Sequence, residues 1–580
     1  MKNKRIIAGL SLLTLTLLPS CSGSKYTPFT GEAVVSEDFP NAIAYLGALG
    51  KNYRANLPCC YFTFVKDVPY VSLKGYYSTF FTAAFTDGEP FYKVEGNKVI
   101  NVNNDASLVF DVSSNSIWSE DYDQFINFYD TKVPTDLFSA SDDYDPLSYY
   151  DEDQSTYTKG EKITYCLTDY HMSLVSYKDD VYVPYAIIDC LTTSSLGYRF
   201  VWNGSAFYLA YPSLFFSDKQ LTTYGKSYYK GTLATSERSQ DFATYNYYSF
   251  LFEMRNFYGR FHALGTNDLD SELNKLGLKE RIMSTDPATA DAGIASAISS
   301  YFGDGGHTYF KDRGFGCAYD YNTDETLMRK VISDDERYGA SYRTYSTLDS
   351  WRSKLGADGT GLFTKGSTAV IRFDEFSSTD GNGNIPTKES VGLDKTSTFG
   401  IFYNAFQKIS QDSSIKNVVF DVAMNGGGEV AALGHALSFM TDDPISASVK
   451  NYHTGATFKE VEYIDNDFDG DYKDNDSYAG KYNFYILTSG YSFSCANAFP
   501  CIAQEHGWAK IIGQKSGGGD CCVGAGCTAD GTMYGLSSNL SFVHEDGSSF
   551  DDGAKPDYEI DYSDFYNLSN LDSFLSKLSA

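Results

Sequence analysis

The sequence predicts an α/β core in the C-terminal half of the chain, preceded by a helical segment and a β-rich N-terminal accessory domain. From about Ser367 onward, nearly continuous apolar strands alternate with helical patterns, which predicts a parallel sheet covered by helices. Residues 243–303 carry apolar residues at three- and four-residue spacing, as amphipathic helices do. Short runs of β-branched and aromatic residues, broken by Gly, Asn and Asp, precede them. We therefore expect an accessory domain over 39–235, a helical segment over 243–315 and the α/β core over 360–565.

The N-terminus has the pattern of a secretory signal. "MKNKR" is basic, and "IIAGLSLLTLTLLPSC" is an apolar run too short for a comfortable membrane span. "LPSC", which ends at Cys21, resembles a bacterial lipobox, in which the cysteine is lipidated and becomes the mature N-terminus. The resemblance implies a signal peptide over 1–20, a tether over 21–38 and a lipid anchor at Cys21 on a bacterial membrane. An uncleaved anchor is the alternative, and both place the protein outside the cytoplasm.

Charge and cysteine content limit the partners and cofactors. The formal net charge of −29 disfavours nucleic acid as a partner, because an acidic chain repels the phosphate backbone. Cys521, Cys522 and Cys527 are close in sequence, and zinc is one interpretation of them. However, they form no pair of C-x-x-C motifs and no histidine follows at ligand spacing, so we predict disulfides or buried thiols. We expect neither a metal nor another cofactor.

Two segments of the β-rich region are alike. One begins at Val65, the other at Tyr177; both contain a "VPY" strand, and the second leads into a "WNG" hairpin. This pattern resembles the copper-amine-oxidase N-terminal-like module of secreted bacterial proteins, a resemblance that implies no copper site. An ordinary β-rich accessory domain is the alternative interpretation.

The later elements follow in order along the chain. The helical segment contains "TYNYYSFLFEMRNFYGRFHAL", "LDSELNKLGLKERI" and "DPATADAGIASAISSYF", the last with Asp286 as N-cap and Pro287 at the first helical position. The core contains the strands "STAVIRFDEF", "NVVFDVAM", "YNFYILTS" and "AKIIGQ". They alternate with the helices "TFGIFYNAFQKISQD", "EVAALGHALSFM" and "CANAFPCIAQEHG". In such sheets, functional residues gather at the C-terminal ends of the strands.

A glycine triplet and a serine-rich turn lie at two of those strand ends. Gly426, Gly427 and Gly428 follow "VVFDVAMN" and open a helix, so their N–H groups are candidates to bind phosphate or a developing oxyanion. A P-loop is excluded because no Lys-Ser/Thr pair follows. In "TSGYSFSCANAF", Ser494 lies where strand gives way to helix, which exposes its hydroxyl as a nucleophile would be exposed. The alternative is that Ser494 is the N-cap of that helix and Ser492 part of the turn.

One histidine has a setting that suits a catalytic base. His307 follows Asp304 and a glycine-rich turn in "GDGGHTYF", at the end of the helical segment. A histidine with a pKa near neutral is the usual activator of a serine. We interpret the other histidines as surface or packing residues.

Five motifs occur in one order: "GDGGHTYF", "FDVAMNGGGEVAALG", "TSGYSFSCANAF", "GWAKIIGQKSGGGD" and "DDGAKPDYEI". Together they resemble the tail-specific, or C-terminal processing, protease family, and within it the branch that includes the tricorn protease core. The resemblance covers roughly residues 243–565. It implies a crotonase-like core of repeated ββα units and a serine endopeptidase that acts on proteins or peptides, often near their C-termini. It also implies Ser494 as nucleophile, and Gly427, Gly428 and the N–H of Cys495 as the oxyanion hole.

The chain departs from the family at three places. The lysine that many members use as base corresponds to Gly519, and Lys515, an alternative base, is out of register. The tricorn-like branch uses a histidine from a "DGHT" motif, which His307 supplies. The glutamate that orients the histidine in that branch is missing, so Asp551 or Asp552 would have to take its place. In addition, Asn497 replaces the glutamate that the family usually carries three residues after the nucleophile.

The resemblance therefore implies acyl transfer at Ser494 with His307 as base, on protein or peptide substrates. Two other functions stay open: an inactive relative that binds a surface partner, and an acyl-CoA enzyme, which secretion and the lack of a basic phosphate site disfavour. The stretch between Phe310 and Gly366 is too short for the PDZ domain that the family often carries. The sequence does not specify the oligomeric state.

Overall fold

A computed structural model describes most of the chain. The described residues are 26–45, 54–77, 91–95, 98–103, 105–127, 133, 145–194, 198–210, 216–217, 220–234, 238–317, 335–357 and 359–578. The predicted signal peptide over 1–20 and the lipidation site at Cys21 lie outside them. Within the described residues, no helix combines the length and the apolar character that crossing a membrane requires.

The N-terminal region consists mainly of short strands, as its composition predicts. The strands are β1 (Val35–Phe39), β2 (Ile43–Tyr45), β3 (Arg54–Asn56), β4 (Cys59–Phe62), β5 (Tyr70–Ser72), β6 (Phe91–Glu95), β7 (Lys98–Asn103), β8 (Ala106–Asp111), β9 (Ser116–Ser119), β10 (Ser148–Tyr150), β11 (Thr156–Thr158), β12 (Ile163–Cys166), β13 (Val175–Tyr177), β14 (Asp180–Pro184), β15 (Arg199–Trp202), β16 (Phe207–Ala210), β17 (Phe216–Ser217) and β18 (Gln220–Leu221). The helices are α1 (Leu73–Gly75), α2 (Tyr122–Phe125), α3 (Tyr185–Thr192) and α4 (Thr223–Tyr228).

Apart from β10 and β11, these strands form three small sheets, in the orders β1-β4-β5-β14-β13, β12-β9-β8-β7-β6 and β15-β16-β2-β3, and the hairpin β17-β18. The described part of the predicted tether packs onto them. The Tyr26 hydroxyl and the Phe29 N–H both bond to the Ser173 hydroxyl, at 2.8 and 3.0 Å.

The helical segment forms where the spacing of apolar residues predicts it. Its helices are α5 (Gln240–Phe257), α6 (Leu269–Lys275), α7 (Leu278–Ile282) and α8 (Pro287–Ser300), followed by β19 (Tyr309–Asp312). The predicted cap of α8 is confirmed, because the Asp286 carboxylate accepts the Thr289 N–H at 2.9 Å. One hydrophobic cluster joins these helices to the N-terminal sheets and to Tyr534 and Leu536. The accessory region and the helical segment thus share a core.

A six-stranded sheet carries the predicted strand–helix units. Its order is β20-β21-β22-β25-β26-β29, and β21, β22, β25 and β26 run parallel. The remaining elements of the chain are α9 (Glu336–Lys354), β20 (Gly361–Lys365), β21 (Thr368–Arg372), α10 (Thr398–Ile409), β22 (Asn417–Asp421), α11 (Val430–Ser438), β23 (Ile445–Asn451), β24 (Thr457–Ile464), β25 (Asn483–Thr488), α12 (Cys495–Glu505), β26 (Lys510–Gly513), β27 (Cys521–Cys527), β28 (Met533–Val543), β29 (Tyr558–Glu559) and α13 (Leu568–Leu578).

Both faces of this sheet are covered. Alternate strand residues such as Val418 and Phe420 pack with α10, α11 and α12 in one hydrophobic cluster. Val419 lies between them in sequence and packs on the opposite face, with Leu348 of α9 and Leu571 of α13. Burial on both faces is why these strands are almost continuously apolar, and the predicted parallel α/β core is confirmed.

A second, seven-stranded sheet was not predicted. It has the order β10-β24-β23-β28-β19, with β11 pairing with β24 and β27 with β28. β10 and β11 come from the predicted accessory domain, and β19 from the helical segment. This sheet therefore joins the three predicted regions and brings the stretch after His307 next to the core.

Candidate active site

The serine-rich turn between β25 and α12 is fixed to the two residues that follow the neighbouring strand β22. The Ser492 hydroxyl donates to the Val422 carbonyl at 2.7 Å, and the Ser489 hydroxyl donates to the Ala423 carbonyl at 2.5 Å. Ser492 also accepts the Ser489 N–H at 3.0 Å. The hydroxyl of Ser492 is therefore fully used in building the turn, as the sequence interpretation of Ser492 proposes.

Ser494 has a strained backbone and a free hydroxyl. Its φ of 57° and ψ of −127° lie in a region that non-glycine residues rarely adopt. Its N–H donates to the Gly518 carbonyl at 3.0 Å, which holds the corner in place. The side chain is half-buried and does not cap α12, and its hydroxyl bonds to none of the described residues. The N-cap alternative is therefore wrong for the hydroxyl, and the sharp strand-to-helix turn instead leaves Oγ half-exposed and unbonded.

The glycine triplet lies directly against this corner. Gly427 and Gly428 have φ of 108° and 145°, and a Cβ on Gly427 would lie 2.5 Å from the Cβ of Ser494. The loop is held by the Phe376 N–H, which donates to the Gly427 carbonyl at 2.9 Å. Only glycine combines this backbone conformation with this close approach.

Two N–H groups at this corner donate to no oxygen atom of the described residues, and both lie close to the Cys495 thiol. They belong to Gly428 and Cys495. The Gly427 N–H, in contrast, donates to the side-chain oxygen of Asn425 at 2.8 Å. Of the three predicted oxyanion donors, the Gly427 N–H is therefore already used, whereas those of Gly428 and Cys495 bond to no oxygen.

The thiol of Cys495 is not a competing nucleophile. Its Sγ donates to the Gly428 carbonyl at 3.1 Å, and burial raises the pKa of Cys495 to about 12. A thiol with such a pKa is protonated at neutral pH and unreactive.

His307 is buried beside the corner that carries Ser494. Its ring contacts the Phe493 ring edge-on, with centroids 4.7 Å apart. The carboxylate of Asp304 fixes the turn, because it accepts the N–H groups of His307 and Thr308 at 3.1 and 2.9 Å and the Ser537 hydroxyl at 2.6 Å. The structure thus places His307 against the residue that precedes Ser494, although no hydrogen bond joins its imidazole to the serine hydroxyl.

The imidazole of His307 is held in its neutral form. Burial is the main cause that lowers its pKa to about 4, and the charges of Arg337 and Arg260 act in the same direction. The carboxylates of Asp304 and Asp551 oppose them. At neutral pH the ring is therefore free to accept a proton.

The two predicted acids have different surroundings. Burial alone would raise the pKa of Asp551, but its ion pairs with Arg337 (2.6 Å) and Arg260 (2.5 Å) lower it. Asp552 is exposed and makes no hydrogen bond or ion pair with the described residues. Neither carboxylate is hydrogen-bonded to His307. The carboxylate of Asp551 instead forms its ion pairs with the two arginines.

The position where the family carries its lysine is filled. A Cβ on Gly519, whose φ is 83°, would overlap the ring of Phe493. Lys515, the alternative base, is exposed and contacts no charged or hydrogen-bonding group of the described residues. Neither position therefore brings an ammonium group to Ser494.

Asn497 connects the nucleophile helix to the segment that carries Asp551. Its amide donates to the Phe550 carbonyl at 2.9 Å, and its side-chain oxygen accepts the Ser516 hydroxyl at 2.6 Å. Ser516 in turn accepts the Ala554 N–H at 2.7 Å. The residue that replaces the family's glutamate thus has a positioning role.

Sequence reasoning missed two arginines. Arg337, at the start of α9, donates to the Gly517 carbonyl at 2.9 Å and lies over the Phe493 ring, 5.9 Å from its centroid. Arg260 reaches the same Asp551 carboxylate from the turn after α5. Both lie far from the other motifs in sequence, and no local pattern distinguishes them from surface arginines.

The cysteines at the two ends of β27 make different contacts. Cys521 bonds to the Ser541 hydroxyl at 3.1 Å, whereas Cys527, at the other end of the strand, donates to the Thr528 carbonyl at 3.3 Å. Both are free, as is Cys522. Of the two predicted alternatives, free thiols are thus found, buried at Cys521 and Cys527 and half-buried at Cys522.

Among the described residues, one group has ligand atoms close enough to share a metal ion. These atoms belong to Asp465, Asp467 and Asp476 and lie within 4.8 Å of one another. The stretch "DNDFDGDYKDND" has the D-x-D-x-D-G spacing of calcium loops, a signal that sequence reasoning overlooked. An acidic cluster by itself does not establish a bound ion, and we assign no metal to it.

Several solved structures are similar to this chain. A putative peptidase from Parabacteroides merdae ATCC 43184 has 16% identity and a TM-score of 0.40, over 58% of this chain and 96% of its own. A lipoprotein from Streptococcus agalactiae has 13% identity and a TM-score of 0.29, over 45% and 84%. A photosystem II D1 C-terminal processing protease has 14% identity and a TM-score of 0.26, over 36% of this chain and 48% of its own. No curated protein sequence matches the chain.

The family assignment rests on a sequence match rather than on these distant structures. Residues 367–560 match the model of peptidase family S41. The match contains Ser494, the glycine triplet and Asp551, whereas His307 and Arg337 lie before it. The segment 367–560 is therefore a serine peptidase domain of family S41, the tail-specific protease family that the five motifs indicated.

Proposed function

We propose that this chain is an extracytoplasmic serine endopeptidase that cleaves peptides, or unfolded and C-terminal regions of proteins, through an acyl-enzyme at Ser494. The proposal rests on the geometry of the strand-to-helix turn at Ser494. A strained serine with an unbonded hydroxyl lies beside two N–H groups that donate to no oxygen, those of Gly428 and Cys495. Native structures retain strain of about 1–3 kcal/mol chiefly where function requires it.

Acylation begins with attack of the Ser494 Oγ on the scissile carbonyl. His307 accepts the hydroxyl proton. Its imidazole can do so because burial lowers its pKa and keeps the ring neutral. Proton transfer requires the two side chains to approach to about 2.6–3.2 Å, and such contacts commonly tighten only when substrate is bound. We infer that substrate binding closes this contact.

The negative charge on the tetrahedral intermediate would be stabilised by the N–H groups of Gly428 and Cys495. Their donors are already oriented by the glycine loop and by the start of α12, so no reorganisation is needed during the reaction. Removal of one such donor typically costs about 3 kcal/mol of transition-state stabilisation.

The carboxylates near His307 stabilise the imidazolium that forms. Asp304 and Asp551 both favour the protonated ring, and Asp304 is the larger of the two influences. His307 then gives its proton to the leaving amine, and a water molecule activated by the same ring hydrolyses the acyl-enzyme. We propose Asp304 and Asp551, rather than Asp552, as the acids that serve this step.

A crotonase-like core and a lipid anchor on a bacterial membrane are part of the same proposal. The parallel strand–helix units and the mixed sheet support a crotonase-like core. The "LPSC" motif supports a lipid anchor at Cys21. Replacement of Cys21 by Ala should move the protein from the membrane fraction to the soluble fraction, and retention of the variant in the membrane would refute the anchor.

The catalytic proposal is tested with a fluorophosphonate probe and a protein digest. The full chain should be labelled, and Ser494→Ala should abolish the label. A denatured model protein should be cut by the wild type but not by Ser494→Ala or His307→Ala, with new termini read by mass spectrometry. Ser492→Ala is a matched control, since its hydroxyl serves only the turn and should keep the protein labelled if it folds.

An inactive relative that binds a surface partner is the second candidate. It is favoured by the missing family lysine and by the absence of a hydrogen bond between Ser494 and His307. Correctly folded protein that neither takes up the probe nor cuts any substrate would establish this alternative and refute the peptidase mechanism.

A further inference from the structure

We infer that four tyrosines beside the nucleophile form the substrate-recognition surface, and that they select extended peptides with a large apolar or aromatic residue near the scissile bond. The four are Tyr338, Tyr342 and Tyr345 of α9 and Tyr491 of the serine-rich turn, called here the tyrosine wall. The inference rests on the proposed function, because it places the substrate of that same site.

Three of the tyrosines are joined by ring contacts, and the fourth, Tyr338, lies on the same face of the helix. Residues 338, 342 and 345 are four and three positions apart, so they lie on one face of α9. The ring centroids of Tyr342 and Tyr345 are 6.2 Å apart, and those of Tyr345 and Tyr491 are 4.8 Å apart. The helix face thus continues directly into the turn that carries Ser494.

The wall contacts both halves of the catalytic arrangement. A Cβ on Gly426, the first glycine of the triplet, would lie 3.5 Å from the Tyr491 hydroxyl oxygen. A Cβ on Gly306, next to His307, would lie 3.5 Å from the ring of Tyr338. The wall therefore extends from the base to the oxyanion loop, alongside the position where a scissile bond would lie.

The wall is open to solvent and its hydroxyls are unused. Tyr342 is 56% exposed and the other three rings are half-buried. None of the four hydroxyls has a hydrogen-bond partner among the described residues. Exposed aromatic rings with free polar ends are enriched at recognition surfaces, because they offer apolar area and a hydrogen bond together.

The helix that carries the wall is firmly anchored on its other side. Leu348 is buried in the cluster beneath the sheet, and Arg352 pairs with Asp374 at 2.9 Å. A rigid aromatic surface loses little entropy when a ligand binds.

An extended peptide fits this surface better than other occupants do. Its side chains would lie on the rings, and its backbone amides could bond to the tyrosine hydroxyls. Continuity of the wall with Ser494 places such a peptide with a carbonyl near the N–H groups of Gly428 and Cys495. A second copy of the chain seated on the wall would block the nucleophile, and it is an outcome that the experiment below detects.

Binding is measured first in the full chain carrying Ser494→Ala, so that the result does not depend on catalysis. Fluorescence anisotropy compares two labelled peptides of equal length and charge, one rich in Phe and Leu and one rich in Gly and Ser. We expect at least about tenfold tighter binding of the apolar peptide, as apolar pockets commonly discriminate. Tyr342→Ala should remove most of that difference, and Tyr342→Phe should retain it. Tyr149→Ala, which removes a tyrosine exposed to a similar extent on β10, is the matched control and should change nothing.

Cleavage sites in a denatured protein, mapped for the active chain, provide the second measurement. Wild type should cut next to large apolar residues, and Tyr342→Ala should broaden that preference while probe labelling of Ser494 persists. Equal binding of both peptides or an unchanged preference in the tyrosine variants would overturn the inference. So would analytical ultracentrifugation that finds the wild type dimeric and Tyr342→Ala monomeric. Loss of labelling in the wild type would instead refute the proposed function, so the two failures are distinguishable.

Discussion

The acid limb of the pH–rate profile should give the pKa of His307, which burial lowers. Burial, Arg337 and Arg260 lower the pKa of this imidazole to about 4, against the opposing carboxylates of Asp304 and Asp551. At pH 5 a base with that pKa is about 90% neutral, whereas a base with the usual pKa of about 6.5 is about 3% neutral. The structure therefore predicts about thirtyfold higher kcat/KM at pH 5 than an exposed histidine would give.

The perturbation that tests this reasoning is Arg337→Gln. It removes a positive charge that faces His307, so the pKa of the imidazole should rise and the acid limb should move to higher pH, by up to about one unit. Arg343→Gln removes the same charge from an exposed position of α9 and is the matched control. The assay is kcat/KM on a fluorogenic peptide between pH 4 and 8. A wild-type limb near pH 6.5, or an equal shift in both variants, would refute the burial of the base in the active enzyme.

Three further outcomes are expected. Gly427→Ala should lower kcat/KM by at least about a hundredfold, because its Cβ would meet that of Ser494. Gly455→Ala is the control, since Gly455 also has a positive φ but has open space around it. An equal loss of activity in Gly455→Ala would contradict the proposed cause. Stability against urea should fall between pH 6.5 and 4, by up to roughly 3 kcal/mol for the buried His307, because the unfolded chain takes up protons first. The half-buried His453, whose pKa is also lowered to about 4, should add a smaller loss; a flat profile would disagree. Arg199→Met removes the guanidinium that pairs with two buried carboxylates, those of Asp189 and Glu253. The free energy of unfolding measured in urea should fall by about 3–5 kcal/mol. A loss under about 1 kcal/mol would show that these ion pairs are not buried as described.

Much of the α/β core could be predicted from the sequence. The apolar strands β21, β22, β25 and β26 and the helices between them occur where the pattern places them, because each pattern depends on local periodicity and burial. The Asp286 cap was equally predictable, since a cap is a contact within three residues. The positions of Ser494 and the glycine triplet at strand ends follow from the same reasoning.

The mixed sheet and the surroundings of the base could not be predicted in this way. β10 pairs with β24 across more than half of the chain, and nothing in either strand specifies its partner. Arg337 and Arg260 converge on Asp551 from separate elements, and the sequence offered Asp551 only as one of two candidate acids. Such contacts depend on how distant elements pack, not on local periodicity.

The sequence by itself determined the kinds of groups available: a serine at a strand-to-helix corner, a glycine loop, a histidine in a glycine-rich turn and no lysine in the family position. The tertiary structure decided their roles. It strained the backbone of Ser494 and left its hydroxyl unbonded, gave the Gly427 N–H to Asn425, and buried His307 against Phe493. The reason is physical: residue types fix which hydrogen bonds and charges are possible, whereas burial and close approach, which set strain and pKa, exist only once distant segments have packed together.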